Sequence, residues 1–123
     1  PTAALMLPED LRGAWDLFLT QRANAVMGVT RYYEHPLEAL RKAGRYLRPA
    51  FPGAIARNPR PEYSVDVGYF YFIRPNVLRQ RRSFYVPRLV GYPIPRLRAV
   101  DIDQPDDLRV AEALMNLMYG KAA

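Results

Sequence analysis

Leu11, Ala14, Trp15 and Phe18 recur at the spacing of one helix face. The residues before them, Leu7-Pro8-Glu9-Asp10, open like a helix, with proline in the first turn and two acids at the positive end of the dipole. The pattern predicts an amphipathic helix over roughly 8–21, with Trp15 in the core. Asn24 interrupts it, and Ala25-Val26-Met27-Gly28-Val29-Thr30 follows as a short apolar run rich in strand formers, read as a buried strand. A helix followed by a strand is the beat of an α/β protein.

Between residues 32 and 63 prolines at 36, 49, 52, 59 and 61 and glycines at 44 and 53 break every periodic segment, although Leu37 to Ala43 is helical by propensity. The next run, VDVGYFYFI at 65–73, is nearly continuous apolar and aromatic, the mark of a strand covered on both faces. Pro75 starts a short helix to about Arg82. Residues 89–94 read as a strand near an edge, because Pro93 cannot donate to a ladder. The last helix begins at Pro105, with Asp106 and Asp107 in its first turn. It carries Leu108, Ala111, Leu114, Met115 and Met118 on one face and stops near Gly120. No internal repeat is present.

The 123 residues, half of them apolar, suit one folded unit over 1–123. A formal net charge of +6, carried almost entirely by arginine, suggests a polyanionic partner such as a nucleic acid or a phosphorylated small molecule. The absence of cysteine excludes disulfides, thiolate metal sites and a cysteine nucleophile. No apolar run approaches the roughly 20 residues of a membrane helix, and no signal pattern opens the chain, so a soluble, cytoplasmic protein is expected.

The stretch PRLRAVDIDQPDDL, residues 95–108, concentrates the candidate chemistry. On an extended segment, side chains two apart point the same way about 6–7 Å from each other, so Asp101 and Asp103 would present two carboxylates to a hard divalent cation while Val100 and Ile102 anchor the other side. The alternative is that Asp103 helps to cap the last helix and Asp101 sits in a turn.

The flanking residues, Pro-Arg-x-Arg-x-Val-Asp-Ile-Asp followed by x-Pro-Asp-Asp-Leu-x-x-Ala-Glu, resemble the C-terminal signature of the acylneuraminate cytidylyltransferase (CMP-sialic acid synthetase) family, including relatives acting on sialic-acid-like bacterial sugars. Similar segments lie upstream in the family's order: Pro1-Thr2-x-x-Leu5, Val26 to Thr30, His35-Pro36, Arg57-Asn58 with Pro61, Gly68 with Tyr71, and the aromatic pair Phe84-Tyr85. The resemblance covers the chain but only about the second half of a family member. The family's glycine- and lysine-bearing nucleotide loop has no counterpart, and Ala3, Ala4, Met6, Val67 and Gln104 depart from its pattern.

The resemblance implies an α/β chain that is part of a Rossmann-like, mixed-sheet nucleotidyltransferase fold lacking the N-terminal nucleotide-binding strands. It implies an enzyme that transfers CMP from CTP to an acidic nine-carbon sugar with Mg2+ as cofactor. Asp101 and Asp103 would be the catalytic metal-site carboxylates. Arg57, Phe84, Tyr85 and Arg96 would contact substrate, Arg57 by gripping an oxyanion and the aromatics as a wall for the sugar. Each has a plainer alternative: a solvated Arg57, an ion-paired scaffold for Arg96 and Arg98, and core or dimer packing for Phe84 and Tyr85. Residues 32–63 would form a loop and hairpin insert used in homodimerisation, with strands in place of a helix over 37–48 and Gly44 near the turn. His35, the one histidine, reads as structural. Two further readings are a non-catalytic interaction or assembly protein on a remnant of this fold and a nucleic-acid-binding module built on Arg79-Gln80-Arg81-Arg82. The buried character of the GYFYF strand makes nucleic acid the weaker.

Overall fold

The computed structural model describes residues 2–54 and 59–120. The backbone gathers into two compact units, Pro1–Thr30 with Asp66–Ala123, and Arg31–Val65. In chain order the elements are α1 (Pro8–Thr20), β1 (Ala25–Arg31), β2 (Leu40–Ala43), β3 (Tyr46–Pro49), β4 (Ser64–Ile73), α2 (Pro75–Arg81), β5 (Leu89–Pro93) and α3 (Pro105–Tyr119). Short 3-10 turns lie at Pro36–Glu38 and Arg96–Arg98.

The fold is α/β with a mixed sheet, as the helix-and-strand pattern predicts. The order in the three-stranded sheet is β4-β1-β5. β1 and β5 run parallel, Ala25 facing Leu89 and Val29 facing Pro93. Just past the end of β4, Arg74 N–H donates to Asn24 O at 3.0 Å, so β4 enters on the other side of β1 in the opposite direction. β5 is the edge that its proline requires.

β1 reads as an apolar run because Ala25, Val26 and Met27 are all buried in the middle of the sheet. Ala14 and Phe18 of α1 pack with Ala23, Val26, Val67, Tyr69, Phe70 and Ile94 into the core. Helix and sheet meet closely: a Cβ on Gly13 would lie 2.7 Å from the Tyr92 ring. Trp15 is not in the core as expected but 46% exposed. The buried positions of α1 are Asp10, Ala14 and Phe18, four apart, which puts Trp15 a quarter-turn away at the rim. There its ring stacks on Phe18 at 5.4 Å and meets the edge of Phe72.

Of the two acids expected to serve the α1 dipole, Asp10 does more, since it is 2% exposed. Its Oδ2 accepts from Leu7 N–H at 2.8 Å, closing the first turn. Both its oxygens also accept from the Arg98 guanidinium, at 2.6 and 2.9 Å. Arg98 Nη1 reaches Leu5 O as well, at 3.2 Å. Tyr69 Oη donates to the Arg98 carbonyl and accepts from Val100 N–H. One arginine therefore ties the N-terminal loop, α1, β4 and the 96–100 segment together.

The unit Arg31–Val65 holds the hairpin. β2 and β3 are antiparallel, Ala43 facing Tyr46. Gly44 takes φ +63° at the first turn position while Arg45 does not, which is the glycine-first pattern of a two-residue hairpin turn. Strands thus stand at Leu40–Ala43 and Tyr46–Pro49 in place of the helix favoured by propensity, while Leu37 and Glu38 lie in the 3-10 turn. In the same unit His35 Nδ1 accepts from Leu37 N–H at 3.2 Å, so the proton sits on Nε2, which donates to Pro61 O at 3.0 Å.

Burial pushes the Asp10 carboxyl up, but hydrogen bonds from Arg98 and Leu7 N–H and the charge of Arg98 outweigh it and hold it below its ordinary 3.8. The stability gained is complete above that ordinary value and is lost as pH falls through the lowered folded one. In thermal melts from pH 2 to 7, Asp10→Asn is expected to flatten the acid limb. At pH 7 it is expected to cost about 3 kcal/mol, because it leaves the arginine charge buried without its partner. An acid limb identical to the parent's would remove Asp10 from this role.

Candidate functional site

The candidate site lies on the outward side of β4. In an unbroken strand inward positions would keep one parity, but here Val67 and Tyr69 are buried and then Phe70, with Phe72 packed against the same core. The alternation slips by one residue between Tyr69 and Phe70, next to Gly68, whose φ is +69°. This slip, and not cover on both faces, accounts for the continuous apolar run. It also brings Asp66 and Tyr71, five residues apart and of opposite parity, to one side. Asp66 Oδ1 accepts from Gly68 N–H at 2.8 Å, and Asp66 Oδ2 accepts the Tyr71 phenol at 2.6 Å.

The Tyr71 ring stacks on Phe84 with centroids 4.6 Å apart and planes 26° from parallel. Tyr85 follows Phe84 in the chain and is 72% exposed. The hydrogen bond to the Asp66 carboxylate, then burial, then the negative charges of Asp66 and Asp101 raise the Tyr71 phenol well above its ordinary value. It stays protonated throughout the physiological range.

Asp101 closes the floor. Its carboxylate occupies the space where a side chain on residue 68 would begin: a Cβ there would lie 2.1 Å from Asp101 Oδ2. Only glycine permits this approach. Among the described residues, Asp101 Oδ1 is a buried side-chain oxygen with no hydrogen-bond partner. Asp103 is exposed, and Ile102 between them is held by its N–H to Thr2 O at 3.2 Å. The segment carrying the pair follows the 3-10 turn as irregular chain and not as a strand. The carboxylate that closes the start of α3 belongs to Asp107, which accepts from Gln104 N–H at 2.8 Å and Asp103 N–H at 3.1 Å.

No protein-family model and no curated protein matches this chain.

The donor set suits magnesium in kind: hard carboxylate oxygens, one of them buried without a partner. Among the described residues no group of three or more His, Asp or Glu side chains gathers to hold a metal unaided. Two carboxylates are few for a protein cage but usual for magnesium shared with phosphates.

The other expected contacts are dispersed. Arg96 is exposed on its 3-10 turn, while Arg98 is the ion-paired scaffold beside it. Phe84 is half-buried under Tyr71, and Arg57 lies outside the described residues. Asp66 was missed. Its signal in the sequence is the Asp-x-Gly spacing, which allows a side-chain oxygen to accept from the amide two residues on and marks a break in a strand. In the unit Arg31–Val65 a separate cleft of about 400 Å3 is walled by Tyr32, Tyr33, His35 and Tyr63. The cationic side chains on its rim are engaged, Arg31 with Glu62 at 2.9 Å and Arg60 with Glu38.

Gly68→Ala is expected to expel the Asp101 carboxylate and to cost about 2 kcal/mol, from the left-handed backbone and the clash together. The double variant Gly68→Ala/Asp101→Gly should recover the steric share and leave about 1 kcal/mol. Chemical denaturation of the three proteins measures both terms. Equal losses in the single and double variants would mean that Asp101 does not fill that space.

Proposed function

We propose that this chain forms the sugar-side part of a cytidylyltransferase-like site, which transfers CMP from CTP to a sialic acid or related nonulosonic acid and releases pyrophosphate. The observation that carries the reading is the buried, unpartnered Asp101 oxygen beside an aromatic wall, a carboxylate that calls for a cation. Asp101 and Asp103 would hold magnesium. Bound there, the ion would offset charge on the phosphates of CTP and on the departing pyrophosphate. Phe84 and Tyr85 give the sugar a wall. The Asp10–Arg98 pair keeps the segment bearing Asp101 in place, so positioning is done before substrate arrives. The hairpin of β2 and β3, with Leu40, Tyr46 and Leu47 exposed, is the surface for a second copy.

A non-catalytic interaction protein is the second reading. It is favoured by α3, which exposes Leu108, Val110, Leu117 and Tyr119, more apolar surface than a lone helix needs to present.

Asp103→Asn, made in the longest natural chain that contains this sequence, separates the two. With magnesium, CTP and N-acetylneuraminate, pyrophosphate release is expected to fall about 100-fold. The melting temperature should stay unchanged, because Asp103 is exposed. Turnover equal to an active parent's would remove the metal assignment, and no turnover in either protein would favour the interaction protein.

A further inference from the structure

The Tyr71 phenol has one proton, and Asp66 Oδ2 takes it at 2.6 Å. The other Asp66 oxygen is held by Gly68 N–H at 2.8 Å, which fixes the carboxylate from behind. Tyr71 therefore has lone pairs to offer and no hydrogen. A group that meets it from solvent must bring its own donor. Stacking on Phe84 limits the swing of the side chain about Cα–Cβ, so the Oη position is set as well as its polarity. The Asp66 carboxylate adds negative potential on this side of β4, which repels an anionic group.

We propose that Asp66 is a positioning residue that selects which end of the ligand faces this wall. By consuming the phenolic proton of Tyr71 it makes the wall accept a hydroxyl or amide N–H and reject a carboxylate or phosphate oxygen. The inference rests on the reading of this surface as the sugar side of a cytidylyltransferase-like site. It adds the orientation: the hydroxyl- and amide-bearing part of the sugar lies on Tyr71, and the acid group points away from Asp66.

The test uses the longest natural chain with four proteins: parent, Asp66→Ala, Asp66→Asn and Tyr71→Phe. Initial rates of pyrophosphate release give KM for N-acetylneuraminate and for CTP separately, and calorimetry gives sugar binding without turnover. Asp66→Ala is expected to raise the sugar KM about tenfold, with KM for CTP and kcat within twofold of the parent. Asp66→Asn has one acceptor oxygen for two donors, Gly68 N–H and the Tyr71 phenol, and is expected to recover only part of that loss. Tyr71→Phe should match Asp66→Ala and serves in its place if Asp66→Ala does not fold. A parent-like sugar KM in Asp66→Ala, or an equal rise in both KM values with no recovery by asparagine, would overturn the proposal while leaving the catalytic reading intact. If the parent shows no turnover, the catalytic reading fails and calorimetry decides the inference. Sugar binding weakened by Asp66→Ala and partly restored by Asp66→Asn supports it, and no binding, or binding indifferent to Asp66, overturns it.

Discussion

The bidentate contact between Asp10 and Arg98 is the constraint on which the larger unit depends. Taking two charges out of water is costly, and the cost is offset only when every oxygen and N–H finds a partner. Here Asp10 also serves Leu7 N–H, and Arg98 also serves Leu5 O. Because each partner comes from a different stretch of chain, the pair works as a fastener between segments nearly ninety residues apart in sequence. The irregular segment at 99–103 has no strand ladder of its own, so its path is inherited from Arg98, the Tyr69 hydroxyl and the Ile102 amide.

Much of the fold was legible because it follows from local rules. Proline at the first helical turn marks Pro8, Pro75 and Pro105, and the structure begins a helix at each. Apolar runs between turn residues mark β1, β4 and β5. Trp15 was misplaced because periodicity gives the side of a helix and not the width of what covers it. The burial of Asp10 was hidden for a related reason: an acid in a first turn looks alike whether its cation is solvent or an arginine far along the chain. Of the candidate site, Asp101 was picked out by its spacing from Asp103. The Asp66–Tyr71 contact was not, since strand parity sends them to opposite sides until a glycine breaks the count.

Net charge was a poor guide to the local field. The chain is basic overall, yet the surface beside Tyr71 is lined by Asp66 and Asp101. Several arginines are spent on the molecule's own backbone. Arg74 donates from Nε to Ala23 O at 2.9 Å and lies over the Phe18 ring, and Arg88 reaches the carbonyl of Arg22. These guanidinium groups satisfy backbone carbonyls at the ends of elements, a use that raises the formal charge without directing it at a partner.

The slip at Gly68 gives β4 the character of two short strands spliced out of phase. Upstream, odd-numbered residues face inward; from Phe70 onward, even-numbered ones do. A strand of this kind carries a built-in reading frame, and its two halves are interchangeable with an ordinary strand only if the splice moves with them. Sequence drift is then free at either end but coupled across the middle, where a single inserted or deleted residue would exchange the wet and dry sides of one half while leaving the other untouched.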